Sequence, residues 1–200
     1  MSGSAIDTLV GFVEGRVPAE ELERALQQAP EMEALLADDP SLPLHTYVGS
    51  SVFLFLLQLD LADPGDLLSA QGALSDWLDR HAIGHSKSAE PQEFYDLLLA
   101  AQPGWLEVDA KWLQDELVTK AEGRKGDALK VWLHAQLIDR FRYVSEPPDW
   151  IQSPSWPIGS NGPLVFLGQV EVRKYFHDEA AAYVFHDPVS GECTTVIQVS

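Results

Sequence analysis

Pro147 to Val172 reads PPDWIQSPSWPIGSNGPLVFLGQVEV, and its character decides how the rest of the chain divides. Pro147, Pro148, Pro154, Pro157 and Pro163 each fix φ, remove a backbone donor and push the preceding residue towards extended geometry, so no helix runs through it. Trp150 and Trp156 must bury their rings while giving each indole N–H a partner, which favours an ordered platform pinned onto a core over a free linker. The platform joins a helix-patterned region to a strand-patterned end. The predicted fold is therefore α+β: a predominantly helical region of seven or eight helices over residues 1–144, then the platform and a small antiparallel sheet of about three strands over residues 145–200, packed with the helices as one unit.

Upstream of the platform the hydrophobic period is helical. S-A-I-D from Ser4 resembles a capping box and is followed by Ile6, Leu9, Val10 and Val13, with Gly15 as the stop. Pro18 and Pro30 open the next two helices at their first positions, with Glu20 and Glu21 placed at the positive end of a helix dipole. Tyr47–Leu59 is apolar all round, as in a helix covered by its neighbours. Asp63-Pro64-Gly65-Asp66 starts a helix that keeps its period to about Ile83, Pro91 starts another, Asp109 caps the next, and Leu129, Trp132, Leu133, Leu137 and Phe141 lie along the last.

Downstream, Leu164–Val172, Ala181–His186 and Cys193–Val199 read as strands. The loop Asp187-Pro188-Val189-Ser190-Gly191-Glu192 closes a hairpin between the last two, with Gly191 placed for positive φ. Pairing His186 with Cys193 sets Val184 opposite Thr195 and Ala182 opposite Ile197.

Apolar residues at 46% and charged residues at 22% of 200 describe an ordered globular chain. The net charge of −18 is unevenly placed: residues 1–100 hold 17 acids and 4 bases, residues 101–144 hold 7 of each, and residues 145–200 hold 7 and 2. Such a field opposes nucleic acid and anionic membranes, and it either steers a basic partner towards the first half or serves as a solubility surface. The apolar run Val52–Leu57 is too short to span lipid, MSGSAIDTLV has no signal-peptide pattern, and one cysteine makes no internal disulfide. These readings lead to an expected cytoplasmic location without membrane insertion.

Several residues carry chemistry in principle. His177-Asp178-Glu179 and His186-Asp187 hold metal-ligand types, but the first run lies in a connector where neighbouring side chains diverge. His81 and His85 are spaced for one helical face, yet sit at a helix C-terminus, where the dipole alone favours histidine. Cys193 beside His186 lies in acidic surroundings that disfavour a thiolate. Gly123-Arg124-Lys125-Gly126-Asp127 lacks the order of a phosphate loop. Gln152, Gln169, Gln198 and Asn161 fit the task of satisfying backbone groups of an irregular loop. No catalytic residue, metal or cofactor is expected.

The segments W-I-Q-S-P-S-W-P, N-G-P-L-V-F-L-G-Q-V and Y-F-H-D-E-A-A-A-Y-V-F-H-D-P-V-S-G-E-C-T-T-V-I-Q resemble a small bacterial family of cytoplasmic proteins placed among the immunity-type proteins that accompany toxins of bacterial competition systems. The W-P and P-L-x-F-L-x-Q elements are also similar to a wider family of uncharacterised bacterial sheet proteins. The resemblance covers residues 147–198 most clearly. It implies a binding protein that neutralises a cognate toxin by direct contact; the acidic first half makes a basic toxin the expected partner, and acids of the first three helices, Glu20, Glu23, Asp38 and Asp39, the expected contact residues. The alternative is an enzyme or small-ligand protein with a pocket between sheet and helices, formed by Trp150, Trp156, Gln169, His177 and His186.

Overall fold

The computed structural model describes residues 5–37, 51–172 and 178–200. Among these the chain forms α1 (Ala5–Val13), α2 (Ala19–Gln28), α3 (Pro30–Leu36), α4 (Val52–Gln58), α5 (Pro64–Arg80), α6 (Glu90–Ala100), α7 (Ala110–Glu116) and α8 (Gly126–Arg140), then β1 (Ile158–Gly159), β2 (Gly162–Pro163), β3 (Val165–Glu171), β4 (Ala180–His186) and β5 (Cys193–Val199). The fold is α+β, with the helices mostly N-terminal and a three-stranded antiparallel sheet at the C-terminal end. Two compact units are present, Met1–Asp96 and Leu97–Ser200. The change of character at residues 144/145 is thus not where the compact units divide. Within the second unit, Trp112 of α7 and Phe141, the residue after α8, meet edge to face, and Phe141 in turn meets Trp156, which ties those helices to the platform.

In the first unit, α5 is the long element. Asp63 Oδ1 accepts from the N–H groups of Gly65 (2.6 Å) and Asp66 (3.3 Å), and Pro64 occupies the first turn, where a missing N–H costs nothing. The helix ends at Arg80, before Ile83, because Ala82 turns into the left-handed region at φ 55°. Leu74 and Leu78 of α5 share a core with Leu9 and Val13 of α1, Leu22 and Leu26 of α2, Met32 and Leu36 of α3, and Phe53 and Leu56 of α4. Each such side chain contributes about 2 kcal/mol by leaving water. The helix α4 is not covered all round: Val52, Phe53 and Leu56 are buried while Leu54 and Leu57 are exposed. The buried Gln71 of α5 donates through Nε2 to the carbonyls of Val13 (3.0 Å) and Ser88 (3.1 Å), fixing the end of α1 and the connector before α6. Ser4, Asp38, Asp39 and residues 40–50 lie outside the described residues.

In the second unit, Asp109 caps α7 as expected, accepting from Lys111 and Trp112 N–H groups. A single 3-10 turn, Val118–Lys120, follows. Sequence reasoning missed β1 and β2, a two-residue-per-strand hairpin that pairs Ile158 with Pro163 and Gly159 with Gly162. Gly162 sits at φ 115°, which L side chains rarely adopt. The sheet order is β3-β4-β5, and His186 pairs with Cys193, Val184 with Thr195 and Ala182 with Ile197. A bulge between Phe166 and Gly168 shifts the β3–β4 register. Ala181, Tyr183 and Phe185 of β4 share one face with Phe166 and Gln169 of β3 and Val196 and Gln198 of β5; the alternate residues Ala182, Val184, Val170, Thr195 and Ile197 share the other.

Candidate functional site

The platform is held by polar side chains bonded to backbone. Trp150 Nε1 donates to the carbonyl of Trp105 (2.9 Å), and Trp156 Nε1 donates to that of Leu164 (2.8 Å). The Trp150 ring lies 4.5 Å from Tyr183, and Trp156 meets Phe185 at 5.3 Å, edge to face. Gln169 pairs with Asp149 as a strand would: Asp149 N–H donates to Oε1 (2.8 Å) and Nε2 donates to the Asp149 carbonyl (3.3 Å). The buried Tyr183 hydroxyl donates to the Asp149 carbonyl (2.9 Å) and accepts from Ile151 N–H (2.9 Å). The buried Gln198 accepts from Gln152 N–H (2.9 Å) and donates to the Ser153 carbonyl (2.9 Å). Side chains from all three sheet strands therefore stand in for a fourth strand along residues 149–153. Burial pushes the Tyr183 hydroxyl above its ordinary pKa, so this bracket is made by the neutral phenol.

The residues of the alternative pocket are thus brought only partly together. Trp150 and Trp156 share Phe185 as a ring neighbour, and Gln169 grips the residue before Trp150. Both indole N–H groups and both amide atoms of Gln169 are bonded to backbone. His186 lies on the other face of β4 from Phe185, with Nδ1 4.0 Å from Cys193 Sγ across the strand pair. His177 lies outside the described residues. His81 and His85 act separately: His81 stacks on Trp77 at 3.9 Å, while His85 bonds Ser75 Oγ at 2.8 Å.

A different concavity in the same unit has open polar groups. A cleft of about 640 Å³ lies between Trp112 and Glu116 of α7, Asp139 and Arg140 of α8, Arg142, the β1–β2 hairpin, and Pro188 and Val189 of the last hairpin. Arg140 is 3.7 Å from Glu116. The Trp112 indole N–H, the Asp139 carboxylate and the Arg142 guanidinium make no hydrogen bond or ion pair among the described residues. An opening of this size suits a small organic ligand. Sequence reasoning missed it because its lining comes from four separated segments.

Among the expected contact residues, Glu20 lies exposed on α2 and Glu23 is half-buried on the same helix; Asp38 and Asp39 lie outside the described residues. Leu22, Leu26, Met32 and Leu36 turn inward, leaving Glu20, Glu21, Glu31 and Glu33 exposed on α2 and α3. None of these four makes an ion pair among the described residues. Elsewhere in the first unit acids serve local structure, as when Glu14 bonds Arg16 and accepts from Ser86 N–H (3.2 Å). No described helix is long and apolar enough to cross a membrane. Compared with known proteins, the chain matches no family model, no curated protein and no solved structure.

Proposed function

We propose that the chain is a cytoplasmic immunity-type protein that neutralises a cognate basic toxin by binding it directly. The observation that carries this reading is the set of exposed carboxylates Glu20, Glu21, Glu31 and Glu33 on α2 and α3, which outnumber the one cation of these helices, Arg24, and make no ion pair among the described residues, on a half that holds 17 acids and 4 bases. A helix pair whose apolar side is buried presents those charges on a firm support, and charge of one sign speeds and orients encounter with a partner of the other. The test is recovery of partners from the native bacterium with the tagged chain at low and high salt, beside a variant carrying Glu20→Lys, Glu23→Lys, Asp38→Lys and Asp39→Lys. One basic protein should be retained at low salt, released at high salt and lost in the variant. Equal recovery by the variant would remove the acidic helices from the interface.

A second reading is a small-ligand protein or enzyme, and the cleft at Trp112, Asp139 and Arg142 favours it. On that reading the ligand meets an indole face and N–H, a cation and a carboxylate, while the platform supports the cleft wall. A small molecule copurifying with the chain and released by Trp112→Ala with Arg142→Ala would replace the toxin-binding reading.

A further inference from the structure

We propose that β5 is a pairing edge through which two copies of this chain join their sheets antiparallel, with Thr195 on the two-fold axis. The order β3-β4-β5 leaves β5 at the margin of its sheet. The hydrogen bonds of the flanking pairs, Asp187 N–H to the Glu192 carbonyl and Ser200 N–H to the Glu179 carbonyl, fix which β5 residues face β4. With the one-to-one register of the pair, Thr194, Val196 and Gln198 bond β4, and Cys193, Thr195, Ile197 and Val199 turn their N–H and C=O groups away from it. A row of outward donors and acceptors is a template for another strand.

Two observations select the occupant and the register. The strand reads CTTVIQV, with no acid, no base and no proline, in a chain of net charge −18. Two copies repel over most of their surface, and this neutral edge is a place where they meet without opposing carboxylates. Beside it runs an open slot of about 560 Å³ lined by Gln152, Ser153, Pro154, Ser155 and residues 196–198, also free of charge. Gln152 Nε2 already donates to the Val199 carbonyl at 2.7 Å, so among the described residues the unanswered ladder ends at Ile197. The register that uses the free groups sets Thr195 against Thr195 of the second copy and Cys193 against Ile197. It forms six backbone hydrogen bonds and a Thr–Thr cross-strand pair, with Ile197 and Val170 of each copy exposed on the outer sheet face.

The test is sedimentation velocity of the full chain from about 1 to 100 µM, a range chosen to span typical weak self-association. Wild type should pass from the 22.1 kDa chain to twice that mass. Thr195→Pro removes an N–H that faces away from β4, so it should keep the wild-type circular dichroism and stay monomeric across the range. Cys193→Ser with Thr195→Cys should cross-link to a disulfide dimer on mild oxidation, because directly opposed bonded residues lie about 5.5 Å apart at Cα. A wild-type chain that is monomeric throughout, or a folded Thr195→Pro chain that still dimerises, overturns the proposal.

Discussion

Replacing Tyr183 by Phe removes one hydroxyl from the bracket and leaves the ring on Trp150. The Tyr183 side chain is buried, and its hydroxyl makes two hydrogen bonds of 2.9 Å, to the Asp149 carbonyl and from Ile151 N–H. A net contribution of about 1 kcal/mol per bond gives about 2 kcal/mol. The two orphaned groups do not suffer equally. The Asp149 carbonyl keeps Gln169 Nε2 at 3.3 Å, whereas Ile151 N–H is half-buried and loses its acceptor, so most of the cost falls at Ile151. With a urea slope of about 2 kcal/mol/M, the unfolding midpoint should fall by roughly 1 M. Amide exchange at Ile151 should accelerate more than tenfold, while amides of α8 report only the global change. An unchanged midpoint together with unchanged protection at Ile151 would refute the claim that side chains hold residues 149–153 in place of a strand.

Two further outcomes follow from local geometry. The Arg16 side chain, bonded to Glu14, holds that carboxyl below its ordinary pKa, so the interaction is fully present above the unfolded value of 4.5 and is lost as pH falls through the lower folded value; NMR titration should place Glu14 below the ordinary glutamate value, and Arg16→Ala should raise it. At Gly11 a Cβ would stand 2.6 Å from Val17 Cγ2, and the N–H groups of Arg16 and Val17 both donate to the Gly11 carbonyl, so the chain closes tightly here. Gly11→Ala gains about 1 kcal/mol of helix propensity but forces a β-branched neighbour to move at a cost of about 1–3 kcal/mol, so a lowered urea midpoint is expected and a raised one would show that Val17 yields freely.

The register of β4 and β5 was legible because a six-residue loop with Gly191, and strict alternation on both sides, leave few pairings that bury Phe185 and Tyr183. Helix starts at Pro30, Asp63 and Asp109 were legible for a similar local reason: proline and capping aspartate act within one turn. The β1–β2 hairpin escaped because two residues per strand give no period, although Asn161-Gly162 is a turn signal. That Trp150 and Trp156 needed acceptors was also visible in sequence. Which acceptors they take was not, since the Trp105 carbonyl lies 45 positions from Trp150 and is brought there by packing. The cleft shares this limit, because no spacing rule links residue 112 to residues 139, 161 and 189.

The bracket changes what the aromatic and amide content of the platform means. Tryptophans and glutamines in one stretch, facing a tyrosine and a further glutamine on the sheet, suggest a recognition surface, because each offers an apolar body with a polar tip. Here Trp150, Trp156, Gln169, Tyr183 and Gln198 direct those tips at backbone groups, so their yield is a rigid strand-like segment with its donors answered. A ligand competing for them would have to replace internal hydrogen bonds and gain little. Groups left open among the described residues differ in kind: a majority of carboxylates on α2 and α3 that make no ion pair, a mixed set around the cleft, and neutral backbone along β5. Each suits a different occupant, so on the toxin reading charge reversal on the helices should abolish partner recovery while Arg142→Ala leaves it unchanged, and Thr195→Pro should remove self-association without altering that recovery.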